Sequence, residues 1–364
     1  MKKSDQITEA ELTANKNSQE VSLQSILTSD EFQNSAFDLP IVMGETFGNK
    51  NVITDLAELP HLLVGGATGQ GKSVFLHSII NSLLHKKLPE ELKLVLIDTK
   101  NQEFSIYADL KNHFLARQSN GESQIISDTK KVIETLNSLC LEMDNRYDIL
   151  KQNNVLNLKE YNQLGKEKLP YMVVVIDELV DLFTIVGKKV EMPIAKLAQL
   201  GRAVGIHIII ATQRPSVNII SAAIKANFPA KVAFRVSSII DSRTILDASG
   251  AEHLLGRGDM LFSQGNELVR IQSAFMDTPE IEKIVKSISE QTAITDTFIL
   301  PEITDKQLSS EIEKSDLDPF YEEASKWAKQ KKEVSINQIQ RKFAVGHIRA
   351  VRIFEQLKVN GIVK

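Results

Sequence analysis

The sequence predicts an α/β fold with a mainly parallel sheet, followed by a small all-α, winged-helix domain. Three observations carry this reading. Apolar, strand-sized runs alternate with helical patterns from His61 to about Met276, the rhythm of parallel strands joined by crossover helices. A glycine-rich loop, Gly66 to Ser73, lies between one such strand and an amphipathic helix. From Asp318 the pattern changes to three short helices with helix-turn-helix spacing.

The bulk numbers agree. The chain has 364 residues, 42% hydrophobic and 25% charged, enough for one large α/β core plus a small domain and unlike a disordered or fibrous chain. A single cysteine, Cys140 in an apolar stretch, excludes an intramolecular disulfide framework and fits a reducing cytoplasm. Residues 1–20 are polar, lack an apolar signal core and read as a disordered lead-in. No apolar run approaches the ~18 residues of a spanning helix, so the chain as given is expected not to cross a membrane by itself. The net charge of −4 conceals an uneven distribution. Residues 277–318 hold eleven Asp/Glu against four Lys/Arg, and residues 319–364 hold four against ten. An acidic linker thus precedes a basic tail.

Along the chain, residues 21–60 offer only short amphipathic pieces, too few for a core of their own. The expected strands of the 61–276 core are Leu62–Val64, Leu94–Ile97, Met172–Ile176, Ile206–Ala211 and Lys231–Val236. Asp259–Phe262 and Leu268–Ala274 flank the turn Ser263-Gln264-Gly265-Asn266 and read as an antiparallel hairpin at the sheet edge. Residues 277–317 read as a helix and linker. In 318–364 the first helix carries Phe320, Tyr321, Ala324, Trp327 and Ala328. The second opens with a Ser335/Gln338 capping box, and Gly346 turns into a third that ends near Asn360, where a wing would begin.

Gly66-Ala67-Thr68-Gly69-Gln70-Gly71-Lys72-Ser73 meets every fixed position of G-x-x-x-x-G-K-[ST]. Glycines let backbone N–H groups converge on phosphate oxygens, and the following helix adds the positive end of its dipole. Lys72 is placed to bridge the β- and γ-phosphates of ATP and Ser73 to ligate Mg²⁺. The strand Met172–Ile176 ends in Asp177-Glu178. Asp177 is the Mg²⁺-organising carboxylate, and Glu178 orients and deprotonates the attacking water. Ile206–Ala211 leads into Thr212-Gln213, and Gln213 is assigned to sensing the γ-phosphate or holding the lytic water. Together these describe a RecA-like P-loop ATPase core of the additional-strand type.

Beyond these sites, the chain resembles the FtsK/SpoIIIE family of DNA translocases from about Ser22 to its end. The resemblance is carried by Leu169 to Glu178, Val186 to Glu191, Arg202 to His207, Ala211 to Val217, Ile224 to Asn227, Val236 to Ser238, Asp241 to Asp247 and Gly258 to Leu261. It implies a homohexameric ring around duplex DNA, ATP at the subunit interfaces, and a role in chromosome segregation coupled to division. It also implies that Arg202 reaches the neighbouring subunit's ATP in trans, and that Arg214 and Lys225 match basic positions of the channel loops. The tail resembles the family's γ winged helix, with Arg341, Arg349, Arg352 and Glu355 at matching DNA-reading positions and division or recombination proteins as further partners. Three departures stand out. Ile239 replaces a common lysine, His347-Ile348 replaces a tyrosine–asparagine pair, and only residues 21–60 resemble the end of the α domain that follows the membrane helices of typical members. Two other readings compete: a secretion or conjugation coupling ATPase, and a sequence-specific DNA-binding protein with a vestigial ATPase.

Overall fold

The longest unbroken apolar runs of the sequence become the centre of one sheet. The computed structural model describes residues 20–118, 125–217, 219–265, 267–292, 298–302, 320–331, 334–343, 345, 350, 353–354, 357 and 362–363. They fall into two compact units divided between Glu302 and Ile303.

In the first unit the strands are β1 (Val21–Ser22), β2 (Pro40–Thr46), β3 (Asn51–Asp55), β4 (His61–Gly65), β5 (Leu92–Ile97), β6 (Arg117–Gln118), β7 (Tyr171–Ile176), β8 (Ile206–Thr212), β9 (Ala230–Phe234), β10 (Asp259–Gln264), β11 (Glu267–Phe275) and β12 (Ile299–Leu300). The helices are α1 (Leu23–Leu27), α2 (Asp30–Gln33), α3 (Lys72–Lys86), α4 (Thr129–Gln152), α5 (Leu158–Asn162), α6 (Leu179–Val186), α7 (Glu191–Leu200), α8 (Ala222–Asn227), α9 (Ile239–Leu246) and α10 (Thr278–Ser289).

The main sheet runs β3-β2-β11-β10-β9-β4-β8-β7-β5, with β1 added parallel to β11. From β9 to β5 every pairing is parallel, whereas β10 runs antiparallel to both its neighbours. Alternate side chains of each parallel strand go to opposite faces. Leu62, Val64, Leu94, Leu96, Val173 and Val175 pack with Phe75, Ile79 and Leu83 of α3. Leu63, Val95, Ile97, Met172, Val174 and Ile176 pack with Leu136, Leu139 and Met143 of α4 and Leu197 of α7. Both faces are covered, which is why these strands are written as continuous apolar runs without polar alternation. Cys140 is buried in the second layer.

One expectation is corrected. The 259–275 hairpin forms, with Asp259 opposite Gln272, but it is not the sheet edge. Residues 40–55 fold into β2 and β3, and β2 pairs antiparallel with β11, Ile271 opposite Thr46. An uncovered β11 would present a row of unpaired N–H and C=O groups, and this short preceding segment satisfies them. Just ahead of it, α1 and α2 send Leu23, Ile26, Leu27 and Phe32 into the core beside α3, and β2 adds Ile41. After the hairpin, α10 begins with a capping box between Asp277 and Glu280 and buries Ile281 and Val285.

In the second unit, α11 (Tyr321–Ala328) and α12 (Ile336–Phe343) enclose Ala324, Ala328 and Ile339 together with Ala350, Ile353 and Leu357. Trp327 meets Phe343 edge-on at 5.8 Å between ring centroids. The Gln338 side chain accepts from the Ser335 N–H at 3.2 Å, one arm of the capping box.

Candidate nucleotide site

In a doubly wound parallel sheet, ligands collect beyond the carboxyl ends of the strands, where the chain order reverses. Here β4 lies between β8 and β9, and the loops that leave β4, β7 and β8 carry the residues singled out above.

The loop after β4 is shaped by its glycines. A Cβ on Gly66 would lie 2.6 Å from Phe234 Cβ, so the loop presses flat on β9. Gly71 has φ +119°, and a Cβ there would lie 2.9 Å from the Gly258 backbone. No side chain caps the first turn of α3 behind Gly71, which leaves its N–H groups facing the loop. The cleft over this loop has a volume of about 490 Å³, and Thr68, Lys72, Ser73, Gln213, Arg257 and Gln272 are among its walls.

Lys72 is buried and its ammonium is shared between the Asp177 carbonyl at 2.8 Å and the Asp177 carboxylate at 2.5 Å. Register explains the meeting. The Asp177 N–H donates to Ile97 O at 3.1 Å, so β7 ends level with β5, directly beside the start of α3. Glu178 accepts from the Thr212 hydroxyl at 2.7 Å, the Gln213 N–H at 2.8 Å and the Val180 N–H at 3.2 Å. The Thr68 hydroxyl donates to Gln213 Oε1 at 2.8 Å. Lys72, Ser73 and Gln213, spread over some 140 positions of sequence, therefore line one cleft, with Asp177 bound to Lys72 and Glu178 to the Gln213 N–H.

Arg202 stands elsewhere. It is exposed in the turn Gly201–Val204 that feeds the amino end of β8, while Gln213 follows its carboxyl end. Seven strand residues at roughly 3.3 Å each separate the two by about 20 Å. Its turn is clamped from α4. Buried Arg146 donates to Val204 O at 2.9 Å and Pro170 O at 2.8 Å, and Tyr147 donates to Leu200 O at 2.7 Å.

Of the basic positions, Arg214 is exposed directly after the Gln213 turn. Lys225 is ion-paired with Asp247 at 2.6 Å, and Lys231 binds the other carboxylate oxygen at 2.5 Å. Burial pulls the Asp247 carboxyl up, but the two lysines outweigh it and hold the group below its ordinary value. Arg341 is exposed at the end of α12. Arg349, Arg352 and Glu355 lie outside the described residues.

Two partners escaped the motif reading. Glu103 accepts from the Ser73 hydroxyl at 2.9 Å, and Thr212 holds Glu178. Neither belongs to a spacing rule. The one local sign is that Thr212 closes the apolar strand β8 with a polar residue, and Glu103 lies five residues beyond Asp98, the polar residue after β5.

Comparison with known proteins agrees with this architecture. The FtsK/SpoIIIE family matches residues 22–217, and the Ftsk gamma domain matches residues 315–364. The protein named DNA translocase FtsK of Chlorobaculum tepidum is 44% identical over 352 residues, which are 94% of this chain and 44% of that protein. The Haemophilus influenzae protein of the same name is 41% identical over 383 residues, 96% of this chain and 71% of that one. The chain spans less than half the length of the first curated relatives it matches. Among solved structures, the pCW3 conjugation coupling protein TcpA with ATPγS superposes with a TM-score of 0.62 at 27% identity, over 74% of each chain. The cytoplasmic domain of the Thermomonospora curvata Type VII secretion ATPase EccC shares the fold, with a TM-score of 0.66 at 22% identity over 79% of this chain and 36% of that one. By family match and by identity along nearly its whole length, the chain belongs to the FtsK/SpoIIIE family.

Proposed function

We propose that this chain is an ATP-hydrolysing motor that translocates double-stranded DNA, working as a hexameric ring in chromosome segregation coupled to cell division. The observation that carries the reading is the convergence of the glycine loop, Lys72, the Asp177-Glu178 pair and Gln213 on one cleft, with Arg202 exposed at the far end of β8. The curated relatives at 41–44% identity, named DNA translocase FtsK, supply the substrate class.

Loop N–H groups and the start of α3 hold the phosphates. Lys72 leaves Asp177 to reach the β- and γ-phosphates, which frees the Asp177 carboxylate. Ser73 and Asp177 then offer a hydroxyl and a carboxylate, the hard oxygen donors that suit Mg²⁺ completed by phosphate oxygens. Mg²⁺ held by these two groups would neutralise charge on the phosphate oxygens. Glu178 must exchange the Thr212 and Gln213 donors for a water before it can act as base, so the arrangement seen is a resting one. Gln213, bonded to Thr68 in the loop, couples that release to the γ-phosphate. Arg202 is some 20 Å from its own loop and serves the neighbouring subunit. Arg214 and the basic second unit hold DNA on the cytoplasmic side of the membrane, and Lys225 joins them only by giving up Asp247.

The likeness to TcpA keeps the coupling-ATPase alternative in view, and the gamma-domain match over 315–364 weighs against it. The test is the ATPase rate with and without linear duplex DNA at two salt concentrations. Stimulation that weakens with salt, as phosphate contacts require, is the expected result. A rate indifferent to duplex would overturn the proposal.

A further inference from the structure

We infer that Glu103 orients the Ser73 hydroxyl toward the cation, which makes it a positioning residue of the Mg²⁺ site. The inference rests on the nucleotide reading above and adds to it a residue outside the loop and strand motifs.

A serine hydroxyl has one proton and two lone pairs. It can present a lone pair to a cation only if its proton is directed somewhere else. Ser73 sends its proton to Glu103 Oε1 at 2.9 Å, and an ionised carboxylate is the strongest acceptor a protein can place there. The geometry is built to last. Asp98, buried at the end of β5, accepts from the N–H groups of Glu103 at 2.8 Å, Phe104 at 3.1 Å and Lys100 at 3.1 Å, which pins the turn that carries Glu103. Because Ile97 of β5 is level with Ile176 of β7, this turn lies beside Asp177, on the same edge as the cleft.

The second Glu103 oxygen faces α3. It lies 4.0 Å from His77 Nε2, one turn along α3 from Ser73. Asn81 donates to the Tyr107 hydroxyl oxygen at 2.9 Å, and that hydroxyl lies 2.9 Å from His77 Nδ1. Burial lowers His77 to about 4, so the ring is neutral at physiological pH. A neutral His77 forms no ion pair with Glu103, which leaves the carboxylate to hold the Ser73 hydroxyl. A carboxylate behind a metal-ligating group acts in this way to fix its orientation, and losing such a partner costs about 10- to 100-fold in metal affinity.

The test measures binding of a fluorescent ADP analogue to the full chain, first in EDTA and then across a Mg²⁺ titration. Glu103→Ala is expected to leave affinity in EDTA unchanged and to raise the Mg²⁺ midpoint by roughly 10- to 100-fold. Glu103→Gln, whose amide oxygen still accepts from Ser73, recovers most of that shift. An unchanged midpoint in Glu103→Ala, or an equal loss of affinity in EDTA and in Mg²⁺, would overturn the assignment while leaving the nucleotide site standing. No binding of the analogue by the unaltered chain would overturn the site itself and this inference with it.

Discussion

Lys72 and Asp177 form a buried ion pair, which nucleotide opens on the proposed reading. Removing one member of such a pair strands the other charge, at a cost of roughly 3–5 kcal/mol. Lys72→Ala is therefore expected to abolish ATP turnover and also to lower the unfolding midpoint. Adding Asp177→Asn should restore the midpoint but not the turnover; a midpoint unmoved by the second change would refute the pairing. A second residue-scale prediction concerns pH. Burial, helped by neighbouring positive charge, lowers His61 from 6.5 to about 3, and burial lowers His207 to about 4. Both stay neutral in the fold and protonate first in the unfolded chain. Their contribution is therefore constant above pH 6.5 and is lost as pH falls from there toward about 4, by up to ~1.4 kcal/mol per group per pH unit. Thermal melts of His207→Gln between pH 7 and 5 should show a shallower decline than the unaltered chain, and identical slopes would contradict it. The sequence placed His207 in an apolar strand, which was enough to read it as structural. That its Nδ1 lies 2.8 Å from Pro60 O, 147 positions away, was not legible.

At the scale of elements, the parallel strands were readable because a strand buried on both faces must be apolar throughout. The edge was not. The β11 partner of β2 is more than 200 positions away in sequence, so nothing in residues 40–55 announces a place beside it. One glycine shows how specific that pairing is. Gly44 sits at a register shift in β2 with φ +138°, and a Cβ there would lie 2.0 Å from Gln272 O. Gly44→Ala must both adopt a backbone that L side chains avoid and push β11 away. We expect a loss of roughly 1–3 kcal/mol or more in urea unfolding, and an unchanged midpoint would argue against the pairing.

For the whole molecule, the proposed reading, in which the exposed Arg202 serves a neighbouring copy, makes activity a property of adjoining subunits. Mixing Arg202→Ala with Glu178→Gln subunits creates interfaces in which one copy supplies the arginine and the other the base. Turnover should return at intermediate ratios and be absent at both extremes; no recovery at any ratio would mean that Arg202 acts within its own chain or not at all.

The sequence alone determined the strand–loop–helix at Gly66 to Ser73, the paired carboxylates at a strand end, the family resemblance and the distinct basic tail. Each of these is written in neighbouring residues, where spacing and hydropathy act directly. Only the tertiary structure decided that Lys72 rests on Asp177, that Thr212 and Gln213 hold Glu178, that Glu103 faces Ser73, and that residues 40–55 complete the sheet. These contacts depend on strand order and register. Both are set by how two apolar layers and every backbone hydrogen bond are satisfied together across the chain, and no local window of sequence contains that condition.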